Sequence, residues 1–260
     1  AHHGLRSGAR LRLIRAIPAH CGLGSGTQLA LATARALAAL YGLPSAAPQL
    51  AAAVGRGRRS AVGTWAFERG GFILEGGRRD GAPGPAPLLV RQPMPERWRC
   101  VLAVPEAPPG LSGEAEEEAF RALPPPSDAL LGRIARLVLL VLLPSLAEAD
   151  LGEFGRAVTE LQQLVGEAFR PLQGGPFAGP ASAALIEEML AAGAAGAGQS
   201  SWGPAVYGFV EGDDAARALA ARIADRLGGR GLVLATAFDN AGARVRRAGP
   251  EPAPAGAPDS

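Results

Sequence analysis

Lysine is missing from this 260-residue chain, and all 26 of its basic positions are arginine. Codon bias in a GC-rich genome is the simple cause, but the consequence is chemical. Without an ε-ammonium there is no Schiff base with pyridoxal phosphate or with a carbonyl substrate, and no Gly-Lys-Ser/Thr phosphate loop. Any anion must be held by backbone amides and arginine forks. Cysteine is nearly as scarce: Cys21 and Cys100 stand far apart, with no Cys-x-x-Cys, and His2, His3 and His20 are the only histidines. That excludes a disulfide framework and a zinc site. The 24 acidic residues leave a net charge of +2, and aromatics make up 5% of the chain. No basic face interleaved with aromatics gathers, so nucleic acid is not an expected partner. The longest strongly apolar run, Leu137 to Leu143, is too short to span a bilayer, and no signal peptide opens the chain. The expected setting is a reducing cytoplasm, with no membrane partner.

What is present is core material. Apolar residues make up 48% of a chain long enough for two modest cores. The boundary falls just before Trp98, giving residues 1–96, residues 97–248 and a proline- and alanine-rich tail, 249–260, expected to be disordered. Arg10 to Arg15 alternates like a half-buried strand and reads like the middle of something. Thr27 to Tyr41 is a helix stopped by Gly42, and Ser45 to Val54 and Thr64 to Arg69 read as two more. Strands are expected at Gly71 to Leu74, Leu88 to Arg91 and Trp98 to Val104. After Pro124-Pro125-Pro126 come helices at Ala129 to Leu143, Asp150 to Phe169 and Ala181 to Ala192, with Asp150 and Glu153 as a capping pair. A glycine-rich turn, Gly193 to Ser201, then leads into a strand at Ala205 to Val210, a helix from Asp213 to Leu227 and a strand from Gly231 to Phe238. This alternation lacks a strict parallel rhythm, so the fold class is α+β, with two layers per domain.

Three segments carry candidate chemistry. Gly22-Leu23-Gly24-Ser25-Gly26-Thr27 lies between an expected strand and a helix, where exposed amides and the helix dipole converge on an anion; otherwise it is an ordinary tight turn. Arg56, Arg58, Arg59 and Ser60 form either an anion fork or a solvated turn. Gly196-Ala197-Gly198-Gln199-Ser200-Ser201-Trp202-Gly203-Pro204 joins glycines to three hydrogen-bonding side chains, and Trp202 offers a flat face to an aromatic ligand or fills a core. Glu106, Glu114 and Glu116 to Glu118 are candidate carboxylates, the last three read as a solvated helix face.

Pro18-Ala19-His20-Cys21-Gly22-Leu23-Gly24-Ser25-Gly26 resembles the phosphate loop of the GHMP kinase superfamily. The stretch Gly57 to Thr64 lacks the acidic residue those kinases use for catalysis. Their closing Gly-x-Gly-Gly is replaced by Gly-Ala-Gly-Gln-Ser-Ser-Trp-Gly-Pro. Five ordered blocks, Gly22 to Gln28, Gly55 to Ser60, Phe67 to Phe72, Gly110 to Gly113 and Gly198 to Pro204, are together similar to the β-ribofuranosylaminobenzene 5′-phosphate synthases of methanopterin biosynthesis. The resemblance runs from about Arg12 to Phe238. It implies a two-domain GHMP-kinase-like fold with a ferredoxin-like C-terminal domain, without the family's first N-terminal strands. It implies that phosphoribosyl diphosphate is joined to 4-aminobenzoate, releasing diphosphate and carbon dioxide, with magnesium and without pyridoxal phosphate or NAD; a homodimer is open. On that analogy Gly22, Leu23, Gly24, Ser25, Gly26, Thr27, Arg56 and Arg58 bind phosphate. Arg59, Gln199, Ser200 and Ser201 are the catalytic candidates and Trp202 stacks on the aromatic substrate; the metal ligands are unknown. A small-molecule kinase using ATP and an inactive ligand-binding subunit are the alternatives.

Overall fold

The computed structural model describes residues 8–58, 60–79, 82, 84–106, 118–119 and 121–246. Arg59, Gly110 to Gly113, Glu114, Glu116, Glu117 and the 249–260 tail lie outside the described residues.

Three helices begin the structure: α1 (Ser25–Tyr41), α2 (Ala47–Ala53) and α3 (Val62–Arg69). Leu31, Ala38, Leu50, Ala51 and Phe67 bury a small common core between them. An ion pair between Arg35 and Glu68 crosses from α1 to α3, and the same carboxylate accepts from the Ala47 amide at the start of α2 at 3.0 Å. One acid thus pins three helices. The antiparallel pair β1 (Phe72–Glu75) and β2 (Leu88–Gln92) follows, registered Phe72 to Gln92. The expected strand at Arg10 to Arg15 does not form. Residues 8–18 run irregularly and exposed, because alternation alone makes no ladder and no partner strand stands beside them among the described residues.

The second half is built on an antiparallel four-stranded sheet in the order β4-β5-β3-β6, from β3 (Trp98–Pro105), β4 (Gly196–Gln199), β5 (Val206–Glu211) and β6 (Gly231–Ala237). Its helices are α4 (Asp128–Ala147), α5 (Leu151–Gln173), α6 (Pro180–Ala191) and α7 (Asp213–Leu227). Strand alternation sorts them onto two faces. Trp98 and Phe209 pack with Leu137, Leu142, Leu146, Phe154 and Val158 of α4 and α5. Val101, Ala103, Val206 and Val210 pack with Leu185, Ile186, Met189, Leu219 and Ile223 of α6 and α7. This half therefore has three layers rather than the expected two, because both faces of β3 and β5 are apolar.

Two further expectations are corrected. The stretch read as a turn, Gly193 to Ser201, contains β4, a strand of glycine, alanine and glutamine. A Cβ on Gly196 would sit 2.1 Å from the Gly155 carbonyl oxygen, and one on Gly155 would sit 2.3 Å from the Ala195 carbonyl carbon. Helix and strand touch backbone to backbone, a contact that only glycine permits. The apolar run at Leu137 to Leu143 belongs to a 20-residue helix with an 18-residue window of mean hydropathy 2.0, long and apolar enough by length and composition to cross a membrane. A π-helical segment, Val138–Leu142, interrupts it; Leu139 and Leu140 are exposed while Leu137 and Leu142 enter the core.

The chain after β6 returns to the first half. The Gly71 amide donates to the Asp239 carbonyl at 2.7 Å, and the Asn240 side chain accepts from the Met94 amide at 2.8 Å and donates to the Met94 carbonyl at 2.9 Å.

Two outcomes follow from this packing. Gly155→Ala should lower the unfolding free energy by about 2 kcal/mol or more, since the new methyl meets backbone that cannot yield; urea titration measures it. Burial pushes the Cys100 thiol up to about 12 from an ordinary 9.0, so at pH 9 the folded protein holds far less thiolate there than the unfolded chain. Iodoacetamide should label Cys100 at least about tenfold more slowly in the native protein than in urea, because only the thiolate reacts; mass spectrometry reads the difference.

Candidate phosphate and aromatic site

α1 opens with Gly24 in the left-handed region, φ 67° and ψ 21°, and has no side-chain cap and no acidic residue in its first turn. Its first amides and the positive end of its dipole are left for an anion. Gly22 has φ 88°, and a Cβ there would lie 2.0 Å from the Ser200 carbonyl oxygen. The phosphate loop is thereby pressed against the turn after β4. The Ser200 hydroxyl donates to the Gly22 carbonyl at 2.9 Å, and the Ala205 amide donates to the Cys21 carbonyl at 3.1 Å. Two segments more than 170 residues apart become one surface.

Arg56 reaches the same place. Its guanidinium lies 3.5 Å from where a Cβ on Gly26 would sit, over the first turn of α1. The Arg58 guanidinium lies over Gly55 instead, and its carbonyl accepts from Arg78 at 2.8 Å. The start of α3 closes the other side, where Gln28 donates to the Gly63 carbonyl at 2.9 Å and the Thr27 methyl lies beside Gly63. The structure thus gathers Gly22 to Thr27, Arg56 and Ser200. Leu23, Ser25 and Thr27 are half-buried in this junction, and Gly24 and Gly26 are exposed.

Gln199 lies in the wall of the cavity described below, with its side-chain amide held by the protein. It is buried; its Oε1 accepts from the Ala178 amide at 2.6 Å and its Nε2 donates to the Ser201 carbonyl at 2.8 Å and to Gln173 Oε1 at 3.2 Å. These bonds make it a clasp that shapes the 199–204 turn, because a buried amide must be satisfied from whatever surrounds it. Trp202 is buried too, and Phe169 meets its ring edge-on, centroids 4.9 Å apart at 83°. It forms a wall rather than a free platform. Ser201, φ 53°, is exposed at the rim.

Behind the turn lies a cavity of about 130 Å³, lined from α5 by Gln162, Val165, Phe169 and Gln173 and from the end of β4 and the turn by Gln199, Ser201 and Trp202. Sequence reasoning missed the α5 residues. Their i, i+3, i+7, i+11 spacing marks one helix face, but that pattern reads equally as core. Glu75 was missed as well; its carboxylate accepts from the Ala61 amide at the start of α3. Beneath the cavity, burial pushes the Tyr207 phenol above its usual range, keeping it neutral. A wider depression of about 630 Å³ at the opposite end of β5 is lined by Arg97, Arg99, Glu211 and Asp213. Its charges pair with one another, Arg97 with Glu211 and Arg99 with Asp213, both at 2.5 Å, and the Arg99 hydrogen bond holds the Asp213 carboxyl below its usual range.

The comparisons with known proteins agree with this geometry. Residues 1–66 match the GHMP kinases N terminal domain and residues 142–228 the GHMP kinases C terminal domain. Among solved structures, homoserine kinase from Cytophaga hutchinsonii superposes with a TM-score of 0.61 at 18% identity, covering 88% of this chain and 69% of that one. Mevalonate kinase from L. major superposes with a TM-score of 0.59 at 16% identity, covering 86% and 68%. At such identities they show the fold alone. The beta-ribofuranosylphenol 5'-phosphate synthase of Methanothermobacter thermautotrophicus is 37% identical over 237 residues, 87% of this chain and 70% of its own length. The protein of the same name from Methanocaldococcus jannaschii is 31% identical over 254 residues, 92% of this chain and 74% of its own. Both names say phenol where the sequence expectation said aminobenzene, and neither names a kinase. The uncapped loop, its lock onto the 199–204 turn and relatives aligned across both halves place this chain in the β-ribofuranosylphenol 5′-phosphate synthase family of the GHMP kinase superfamily.

Proposed function

We propose that the chain joins phosphoribosyl diphosphate to a para-substituted benzoate, 4-hydroxybenzoate or 4-aminobenzoate, forming a carbon-carbon ribosyl bond and releasing diphosphate and carbon dioxide. The observation that carries this reading is the uncapped start of α1 with the Arg56 guanidinium over its first turn. Diphosphate departs with the electron pair of the C1–O bond, and its charge is met by the amides of Gly24, Ser25 and Gly26 and by Arg56. The ring carbon bearing the carboxylate supplies the electron pair of the new C1–C bond. The carboxylate then leaves as carbon dioxide, and its bonding pair restores the aromatic ring. No proton has to be removed from that carbon, so the site can work without a base beside it.

Magnesium is the expected companion of a diphosphate. Among the described residues no group of three or more His, Cys, Asp or Glu side chains is placed to hold a metal. The ion is proposed to accompany the substrate, as magnesium bound chiefly through phosphate oxygens does.

Carboxyl-labelled 4-hydroxybenzoate or 4-aminobenzoate should release labelled carbon dioxide only when phosphoribosyl diphosphate is supplied; release of neither label, together with ATP turnover, would transfer the protein to the kinases. Arg56→Ala should raise KM for phosphoribosyl diphosphate about 10- to 100-fold, the worth of a charge-assisted hydrogen bond, and Arg56→Lys should restore only part of it. Steady-state kinetics with the diphosphate varied checks both.

A further inference from the structure

The turn that locks the phosphate loop also walls the 130 Å³ cavity against α5. We propose that this cavity receives the benzene ring of the aromatic acid, with the para substituent inward and the carboxylate at the mouth, an assignment that rests on the synthase reading above. Size comes first. An apolar cavity of about 150 Å³ holds a benzene ring, so this one suits a single six-membered ring and excludes a nucleobase or a bicyclic acid. Val165, Phe169 and Trp202 supply the apolar walls.

The polar end of the cavity has a defined sense. A backbone N–H can only donate, so the Ala178 amide fixes the Gln199 oxygen, at 2.6 Å. The Gln199 NH₂ then donates to Gln173 Oε1 at 3.2 Å, and the Gln199 backbone amide donates to Gln162 Oε1 at 3.1 Å. With both oxygens taken as acceptors, Gln162 and Gln173 present their NH₂ groups as donors. A small neutral substituent with a lone pair matches them. A carboxylate does not belong at that depth, because none of the described lining residues is charged and a buried anion without a cation is costly.

The reaction demands the same orientation. The carbon that bears the carboxylate must meet the ribose C1 at the phosphate loop, and Ser201 at the cavity rim adjoins Ser200, which is bonded to Gly22. A ring seated with its carboxylated carbon outward therefore presents that carbon to the anion cradle.

Val165, half-buried and lining the cavity, is the test position. Val165→Phe fills the space and Val165→Ala enlarges it; thermal melts by circular dichroism establish that each variant folds. Ring binding is followed by saturation-transfer NMR with 4-hydroxybenzoate and 4-aminobenzoate, and turnover by carbon dioxide release. Val165→Phe should lose the ring signal and raise KM for the acid by about tenfold or more, with KM for phosphoribosyl diphosphate unchanged within about twofold. Val165→Ala should keep binding and gain about threefold or more in kcat/KM for 4-methoxybenzoate. Wild-type binding and turnover in Val165→Phe, or no gain in Val165→Ala, would overturn the cavity assignment and leave the synthase reading standing. Absence of both ring binding and carbon dioxide release in the wild type would overturn both.

Discussion

The contact between Gly22 and Ser200 governs the rest of the molecule. A glycine with positive φ lies so close to a carbonyl that no side chain fits between them, and a hydroxyl from the same serine closes the gap with a hydrogen bond. The loop is bare backbone, whereas the turn after β4 is held by Gln199 and by the Ser200 amide, which donates to the Ala205 carbonyl at 2.9 Å. Joined, they convert the end of a helix in one half and the end of a strand in the other into a single rigid rim. Anion recognition without lysine depends on such rigidity, because amide donors work only when their directions are set beforehand.

The same reliance on backbone appears where α5 crosses β4. Gly155 and Gly196 let helix and strand approach to contact, and the Thr159 hydroxyl bridges them by accepting from the Ala197 amide at 3.0 Å. That approach sets the height of the whole α5 face above the sheet, and with it the depth of the space framed by Phe169 and Trp202. The packing of two small residues thus fixes the size of a pocket more than one helical turn away.

Much of the architecture was legible. α1 ends at Tyr41, as Gly42 signalled, and α7 spans Asp213–Leu227, because strong helix formers there meet glycine at both ends. Asp150 caps α5 through the Glu153 amide. The failures have a common cause in tertiary context. Arg10 to Arg15 has strand alternation and no partner strand among the described residues, whereas Gly196–Gln199 has little strand propensity and is made a strand by the surfaces on either side of it. In the candidate site, the glycine loop and Arg56 were expected near a helix start, and both stand there. The partners that hold Gln199 in the cavity wall, Ala178, Gln173 and Ser201, are set by folding rather than by local order and could not be read from the sequence. Gln162 and Gln173 were hidden for the converse reason: glutamines on an amphipathic helix look like its solvated side.

The bond from Ser200 to Gly22 links residues 178 positions apart, and a contact of such range forms only after most of the chain exists. During synthesis the first half emerges with its helices able to pack around Glu68, yet its phosphate loop has no turn to lean against. The joint rim of loop and turn is therefore complete only when the Ala205 amide reaches the Cys21 carbonyl. A chain that stops short of this point can hold the small core around Leu31 and Phe67 but lacks the serine that closes on Gly22.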